Sequence, residues 1–246
     1  MSGYPTHSSA VSTIVKGLTL TRSLYVSSIL IGEPHTGKRS LVAHLFPDLP
    51  RADGRDHAGV ISALAQTDAL IIEHYEQLPY PENIDLEGKH IIAIAEYAAN
   101  PKTLDDQFAF LYTMPPLRER LEDVDLYAQH YQDEAEVLFG LEGPVTLVRS
   151  RLDLRRNHQS LRASVFREVL FQHADREMFE WGLYHYFHRH LPEESRYHHH
   201  LSLLERPLLR AGLERYESQL KLAEALGINR NTLRKKIREH LPNDSY

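Results

Sequence analysis

The segment Gly32-Glu-Pro-His-Thr-Gly-Lys-Arg39 has the glycine and lysine spacing of a phosphate-binding loop. The backbone N–H groups of such a loop point inward at an anion, and the positive end of the following helix strengthens the attraction. Lys38 would contact the outer phosphates of a nucleotide. The segment departs from the usual pattern at Arg39, because a Ser or Thr normally stands there to hold Mg²⁺.

A second set of residues, near the C terminus, has the chemistry of DNA recognition. The stretch from Arg230 to Glu239 is basic and contains no acid before Glu239. A helix of this kind fits the major groove, where its first residues reach base edges and its later Lys and Arg neutralise phosphates. Arginine pairs with guanine and asparagine with adenine, so we expect Arg230 and Asn231 to read bases. The candidate DNA-binding residues are Gln219, Asn229, Arg230, Asn231, Thr232, Arg234, Lys235, Lys236 and Arg238.

The elements that must position the glycine loop are predicted by short apolar runs. The runs cover Tyr25–Ile31, Ala69–Ile72 and His90–Ala95, and runs without alternation are typical of a parallel sheet covered on both faces. A helix is predicted over Lys38–Leu45, ahead of Pro47. Strand, glycine loop, helix and strand in this order indicate an α/β domain.

The pattern changes to helices after Pro115-Pro116. Helices are predicted over Leu121–Leu138, Gln159–His173 and Arg176–His190, with a break at Pro192–Ser195. We therefore expect an α/β phosphate-binding domain at 1–115, an all-α region at 116–195 and a DNA-binding domain at 196–246.

The DNA-binding helix is predicted to be the second half of a helix-turn-helix. An apolar stripe ends at Leu226, Gly227 breaks the first helix, and Asn229 can cap the next one. Leu233 and Ile237 lie four residues apart and would face the core. Two helices joined by a tight glycine turn make the helix-turn-helix unit.

Composition and charge narrow the class of protein further. The 246 residues include no cysteine, which excludes a disulfide framework, a thiolate zinc site and a cysteine nucleophile. No segment approaches the roughly 18 consecutive apolar residues of a membrane span, so a cytoplasmic protein without membrane contact is expected. Residues 201–246 carry a net charge of +3 and residues 1–200 carry −9, which indicates a nucleic-acid-binding end on an acidic body.

The stretch Gln219–Ile237 resembles the Fis-type helix-turn-helix, and Glu205-Arg-Pro-Leu-Leu209 resembles the start of the long helix through which such domains pair. This module occurs in the nucleoid protein Fis and at the C terminus of NtrC-like transcription activators. The resemblance implies a homodimer that binds a palindromic site in double-stranded DNA, with half-sites about one helical turn apart.

The N-terminal part resembles the AAA+ domain of the same NtrC-like activators. The glycine loop resembles the family's Gly-Glu-x-Gly-x-Gly-Lys-Glu, Ala69–Pro79 resembles its Walker B stretch, and Met114–Val124 is nearly verbatim family sequence. The resemblance adds Glu73 as a candidate metal contact. It also implies that His35 replaces a glycine and crowds the phosphate, and that Gln159 replaces a nucleotide-sensing arginine. The candidate nucleotide site is Gly32, Glu33, Pro34, His35, Thr36, Gly37, Lys38, Arg39 and Glu73.

Several parts of the family's motor are missing from this sequence. His74 stands in place of the catalytic Glu, and only 34 residues separate Lys38 from Glu73. That interval normally carries the Gly-Ala-Phe-Thr-Gly-Ala loop which contacts sigma-54, and no such string occurs here. Phe108–Tyr112 stands where arginine fingers belong. The resemblance therefore indicates a shortened, degenerate AAA+ domain with no catalytic residue.

These observations favour a bacterial transcription regulator that binds specific DNA without ATP-driven promoter opening. No cofactor is expected to be required. Two interpretations of the glycine loop stay open: it binds ATP or ADP with Mg²⁺, or it is kept only for its turn geometry. The alternatives are a residual ATPase acting as a sigma-54-dependent activator, and an interaction protein that modulates an intact NtrC-like activator. RNA polymerase is a further candidate partner.

A histidine-rich aromatic segment follows, with six of the 16 histidines between His185 and His200. His185 and His188 lie three residues apart on a predicted helix and could share a metal ion. We favour the interpretation without a metal site, in which the aromatic residues form a core or dimer stripe and the histidines face water. A pH-sensitive contact is a further alternative.

Overall fold

The computed structural model describes residues 4–141, 143–191 and 197–241. The chain forms two compact units, Met1–His173 and Ala174–Tyr246. The helical region expected at 116–195 is therefore shared between the two units, and the break expected at 192–195 lies outside the described residues. Within the described ranges, no helix combines the length and the apolar character needed to cross a membrane.

The first unit is built on a five-stranded sheet in the order β2-β3-β4-β1-β5, with every pair parallel. The strand β1 lies between β4 and β5, and it pairs with β4 through Ile29 and Ala93. The loop that follows β1 therefore leaves the sheet at its carboxyl edge, where open α/β sheets bind ligands. The strands are β1 (Ser28–Ile31), β2 (Arg51–Asp53), β3 (Ala69–Glu73), β4 (His90–Ala95) and β5 (Phe110–Thr113).

Helices cover both faces of this sheet and extend beyond it. Two of them begin at side-chain caps: Asp56 accepts a hydrogen bond from the Gly59 N–H, and Asn100 accepts one from the Thr103 N–H. The α-helices of the first unit are α1 (Ser9–Leu24), α2 (Lys38–Leu45), α3 (His57–Gln66), α4 (Pro101–Gln107), α5 (Val124–Phe139) and α6 (Asn157–Gln172).

The buried apolar side chains form one cluster on each face of the sheet. Ile29, Leu70 and Ile72 pack in the cluster with α3 and α4, whereas Leu30 and Ile71 pack in the cluster with α1 and α2. Neighbouring strand residues thus point to opposite faces of the sheet, and buried apolar side chains cover both faces. This explains why the strands read as continuous apolar runs. A third cluster joins α5 to α6.

The predicted fold class is confirmed, and several element bounds agree with the sequence analysis. The helices α2 and α7 (Arg176–His190) and the strand β4 begin and end at the predicted residues. The helix predicted from Leu121 begins instead as a 3₁₀ turn over Leu121–Asp123, before α5. The sequence analysis missed α1, β2, α3, α4 and β5.

The second unit contains α7, α8 (Tyr197–Arg215), α9 (Gln219–Ala225) and α10 (Arg230–His240). Its apolar cluster joins α8, α9 and α10 through Leu209, Leu222 and Leu233. A Cβ on Gly212 would lie 2.5 Å from a methyl group of Leu222, so a larger residue there would force the Leu222 side chain to move. The predicted helix-turn-helix is therefore a packed structure with its own small core.

A buried ion pair fastens the start of the chain to the phosphate-binding loop. Arg120 and Asp123 are both fully buried, with Nη1 of Arg120 3.2 Å from Oδ2 of Asp123. The second Nη of Arg120 donates to the Thr36 carbonyl at 2.5 Å. Asp123 also accepts hydrogen bonds from the Thr6 hydroxyl and from the His7 and Ser8 N–H groups.

We predict that Asp123→Asn destabilises the first unit by about 3–5 kcal/mol, because it leaves the buried Arg120 guanidinium without its counter-charge. Urea unfolding followed by circular dichroism measures the change. The matched control is Asp125→Asn, an exposed carboxylate two residues away, for which a change within about 0.5 kcal/mol is expected. Equal effects of the two variants would contradict the role given to Asp123.

Candidate functional site

The glycine loop turns from β1 into α2 with the backbone geometry of an anion cradle. Two of its residues are left-handed, His35 with a φ of 60° and Gly37 with a φ of 94°. A Cβ at Gly32 would lie 2.7 Å from the Met114 carbonyl oxygen, so only glycine fits there. His35 adopts a conformation that usually belongs to glycine, and its exposed side chain lines the cavity in front of the loop.

Lys38 is buried and directed back onto its own loop. Its Nζ donates to the carbonyl oxygens of Gly32 and Glu33 at 2.5 and 2.7 Å. Burial lowers the pKa of the Lys38 ammonium to about 8. The loop thus keeps its shape through carbonyl groups, and a phosphate would take their place around Nζ.

Glu33 connects the loop to the stretch after β5 and to α6. Its carboxylate accepts a two-pronged ion pair from Arg118, at 2.5 and 2.8 Å, and a hydrogen bond from Nδ2 of Asn157 at 3.2 Å. These donors lower the pKa of Glu33 to about 2. Asn157 also donates to the Pro34 carbonyl and accepts from the Leu117 N–H. The first residue of α6 is therefore fixed against the loop.

The Walker B position Glu73 is held by two arginines. Its Oε2 lies 3.0 Å from Nε of Arg39, and its Oε1 lies 2.9 Å from Nη1 of Arg51. Nη2 of Arg39 also donates to Nε2 of His74 at 2.5 Å. Nδ1 of His74 lies 3.0 Å from Oδ1 of Asp53.

These contacts decide whether a magnesium ion fits beside Glu73. Magnesium ions prefer oxygen ligands, and here both oxygens of Glu73 are engaged by guanidinium groups. Position 39 supplies a guanidinium, which cannot ligate a cation, and position 74 supplies an imidazole that already accepts a hydrogen bond. The residues present do not fit Mg²⁺.

A cavity of about 640 Å³ opens in front of the loop, within the range of small-molecule sites. Its wall combines the loop, the ends of β3 and β4, and the helices α5 and α6. Three cationic side chains line it, namely Lys38, Arg39 and Arg162, together with two acidic ones, Glu76 and Glu96.

The cavity also includes residues that the sequence analysis missed. Gln159, where the resemblance expects a nucleotide-sensing arginine, does line the cavity, and Arg162 lines it one turn later on α6. Arg162 pairs with Glu134 at 2.6 Å and stacks over the ring of Phe166 at 4.0 Å. The three-residue spacing from Gln159 was the available signal, since residues three apart share a helix face.

The helix-turn-helix places its basic residues on one exposed face. Oδ1 of Asn229 accepts from the Thr232 N–H at 2.8 Å and so caps α10, and the turn before it contains Gly227 with a φ of 64°. Gln219 is partly exposed at the start of α9, and Thr232 is partly exposed on α10. The exposed residues of the basic face are Arg230, Asn231, Arg234, Lys235 and Arg238.

Lys236 differs from the other basic residues of α10. Its ammonium is paired with Oε1 of Glu205 on α8, and Nε2 of His240 lies 2.6 Å from Oε2 of the same carboxylate. The Lys236 and His240 side chains lower the pKa of Glu205. Lys236 therefore fastens α10 to α8.

Residues 200–240 match the family model described as "Bacterial regulatory protein, Fis family". These residues form a Fis-type helix-turn-helix. The match covers α9, α10 and most of α8, which is the long helix expected from the resemblance.

Solved structures show which fold the whole chain shares. NtrX from Brucella abortus in complex with ATP superimposes with a TM-score of 0.53 over 98% of this chain and 70% of that one, at 12% identity. The ADP complex of the same protein gives a TM-score of 0.53 over 97% of this chain and 70% of that one, also at 12% identity. The chain thus shares the fold of NtrX, with a parallel α/β domain ahead of the Fis-type unit. No curated protein sequence matches the chain.

The histidines of α7 lie against aromatic rings of their own helix. The His185 ring is 4.3 Å from Trp181, and the His190 ring is 4.6 Å from Tyr186. Among the residues described, no three His, Asp or Glu side chains are grouped so that they could hold a metal ion. Phe179 and Trp181 are 52% and 68% exposed, so they do not belong to a core within this chain.

His158 sits at the back of the cavity as a neutral hydrogen-bonding group. Its Nε2 faces Nη2 of Arg120 at 3.4 Å, and its Nδ1 lies 2.9 Å from the Tyr131 hydroxyl. A guanidinium only donates, so Nε2 accepts and Nδ1 carries the proton. Burial and the nearby Arg120 lower the pKa of His158 to about 4.

This pKa predicts a loss of stability in mild acid. The unfolded histidine has a pKa of about 6.5, so the unfolded chain binds the proton more readily as pH falls from 6.5 towards 4. We expect His158 to account for a loss of up to about 3 kcal/mol across this window. Urea unfolding at several pH values should show a shallower slope for His158→Gln than for the parent chain. The exposed His130→Gln is the control, and an equal slope in all three proteins would refute the assignment.

Proposed function

We propose that this chain is a transcription regulator which binds a specific site in double-stranded DNA through its Fis-type unit. The observation that carries the proposal is the exposed face of α10, where Arg230, Arg234 and Arg238 repeat at four-residue intervals. The opposite side of α10 is buried through Leu233. A helix held by its apolar side and basic on its free side suits insertion into the major groove.

The residues of this face take different roles along the helix. Arg230 and Asn231 stand in the first turn, which enters deepest in a helix-turn-helix, and would read base edges. Arg234, Lys235 and Arg238 follow and would contact phosphates. Gln219 and Thr232 lie at the edges of this surface. Lys236 acts mainly through Glu205, so its loss would loosen α10 before it weakens DNA contacts directly.

The regulator acts as a homodimer on a palindromic site. Two leucines of α8, Leu204 and Leu208, are 40% and 54% exposed and lie one helical turn apart. Such a stripe is typical of a helix that pairs with a copy of itself. Two symmetry-related copies of α10 would then meet half-sites about one helical turn apart.

The AAA+ body binds ADP or ATP and does not hydrolyse it. The cavity size, the preformed loop and the position of Lys38 support binding. Against hydrolysis stand His74 in place of a carboxylate base and the two arginines on Glu73. The regulator would then work in the cytoplasm without ATP-driven promoter opening, with RNA polymerase or an intact NtrC-like activator as its protein partner.

The first test is selection of DNA sequences by the full chain from a random pool, followed by titration at two salt concentrations with and without ATP. We expect enrichment of a palindromic site and binding at least a thousandfold tighter than to random DNA. Failure to enrich any sequence would contradict the proposal and favour the interaction protein. Phosphate release that depends on Glu73 would favour the residual ATPase.

Two variants test the division of roles on α10. We predict that Arg230→Ala weakens binding to the selected site by about 1–3 kcal/mol and relaxes the preferred base at one position of each half-site. Arg238→Ala should weaken binding to selected and to random DNA alike. It should also reduce the salt dependence of the affinity by the amount expected for about one phosphate contact. Fluorescence anisotropy at several salt concentrations measures both. Equal losses on selected and random DNA for Arg230→Ala would refute its role as a base reader.

A further inference from the structure

The cavity in front of the glycine loop contains a fixed cation at the place where a metal ion is expected. Arg39 follows Lys38 at the start of α2, and its guanidinium bridges Glu73 and His74. A guanidinium has five N–H donors, and in the described part of the chain two of them are engaged in these contacts. Three therefore remain for a ligand, and the 53% exposed Arg39 side chain lines the cavity beside Lys38.

The contacts around Arg39 form a chain in which each group is satisfied by its neighbour. Asp53 holds Nδ1 of His74, so Nε2 of His74 is free to accept from Arg39. Arg39 then holds one oxygen of Glu73, and Arg51 holds the other. A magnesium ion would have to compete with an arginine for either oxygen of Glu73, and it would meet two positive charges there.

Phosphate groups in a nucleotide site need positive charge, which Mg²⁺ usually supplies together with the loop lysine. Arginine suits this task because its planar donors match two phosphate oxygens at once and it stays charged at every physiological pH. Arg39 stands next to the loop lysine and is held in place by Glu73. The position, charge and donor geometry of a phosphate clamp are all present.

We infer that the cavity binds a nucleoside di- or triphosphate without a divalent metal ion, with Arg39 supplying the charge that Mg²⁺ supplies elsewhere. This inference rests on the nucleotide binding in the proposed function. It adds that chelators leave the complex intact and that Arg39, with Lys38, contacts the phosphates. Such a site holds its nucleotide as a structural or regulatory ligand.

The test is a titration of the full chain with ADP and with ATP by calorimetry, once in Mg²⁺ and once in EDTA. We expect dissociation constants that agree within about threefold in the two buffers. Arg39→Ser restores the hydroxyl of the usual loop and releases one oxygen of Glu73. For this variant we expect at least tenfold weaker binding in EDTA and partial recovery in Mg²⁺. Arg22→Ser, an exposed arginine outside the cavity lining, should bind like the parent chain.

Each outcome separates the inference from the proposed function. Binding that requires Mg²⁺ would overturn the inference and leave nucleotide binding standing. The absence of binding in both buffers would refute nucleotide binding itself, and with it the inference. Equal binding by Arg39→Ser and the parent chain in EDTA would remove Arg39 from the site. Circular dichroism of Arg39→Ser shows whether the variant is folded, and Mn²⁺ titration followed by electron paramagnetic resonance shows whether it gains a metal site.

Discussion

The buried guanidinium of Arg120 is the constraint on which the first unit depends. A charge without access to water must be surrounded by acceptors, and here the acceptors come from three separate parts of the chain. The Thr36 carbonyl belongs to the glycine loop, Asp123 precedes α5, and His158 belongs to α6. Because Asp123 also holds the backbone of residues 7 and 8, the start of the chain, the loop and the two helices beyond the sheet are fixed together.

This arrangement shows which contacts hold the loop in its shape. Its carbonyl groups at Gly32, Glu33 and Thr36 are taken by cationic side chains, and its Pro34 carbonyl is taken by Asn157. Preorganisation of this kind reduces the free-energy cost of ordering the loop when an anion binds.

Much of the fold could be predicted from the sequence where local signals are strong. The strand β4 is a continuous buried run, α2 ends just ahead of Pro47, and Asn229 does cap α10 as expected. The elements that were missed have weak local signals: β2 is only three residues long, and β5 is largely exposed. The contacts of Arg51 with Glu73 and of Asp53 with His74 could not be predicted, because they arise from tertiary packing that no spacing in the sequence encodes.

The two departures from the family pattern at positions 39 and 74 turn out to be partners. In the sequence they are separate changes, an arginine where the family has Glu and a histidine where it has the carboxylate base. In the structure Nη2 of Arg39 donates to Nε2 of His74, and Glu73 bridges Arg39 to Arg51. An arginine here beside the usual acidic pair would be drawn to two carboxylates, whereas histidine leaves Glu73 as its single counter-charge. Arg39 therefore joins position 74 to Glu73, so that these side chains satisfy one another within the protein.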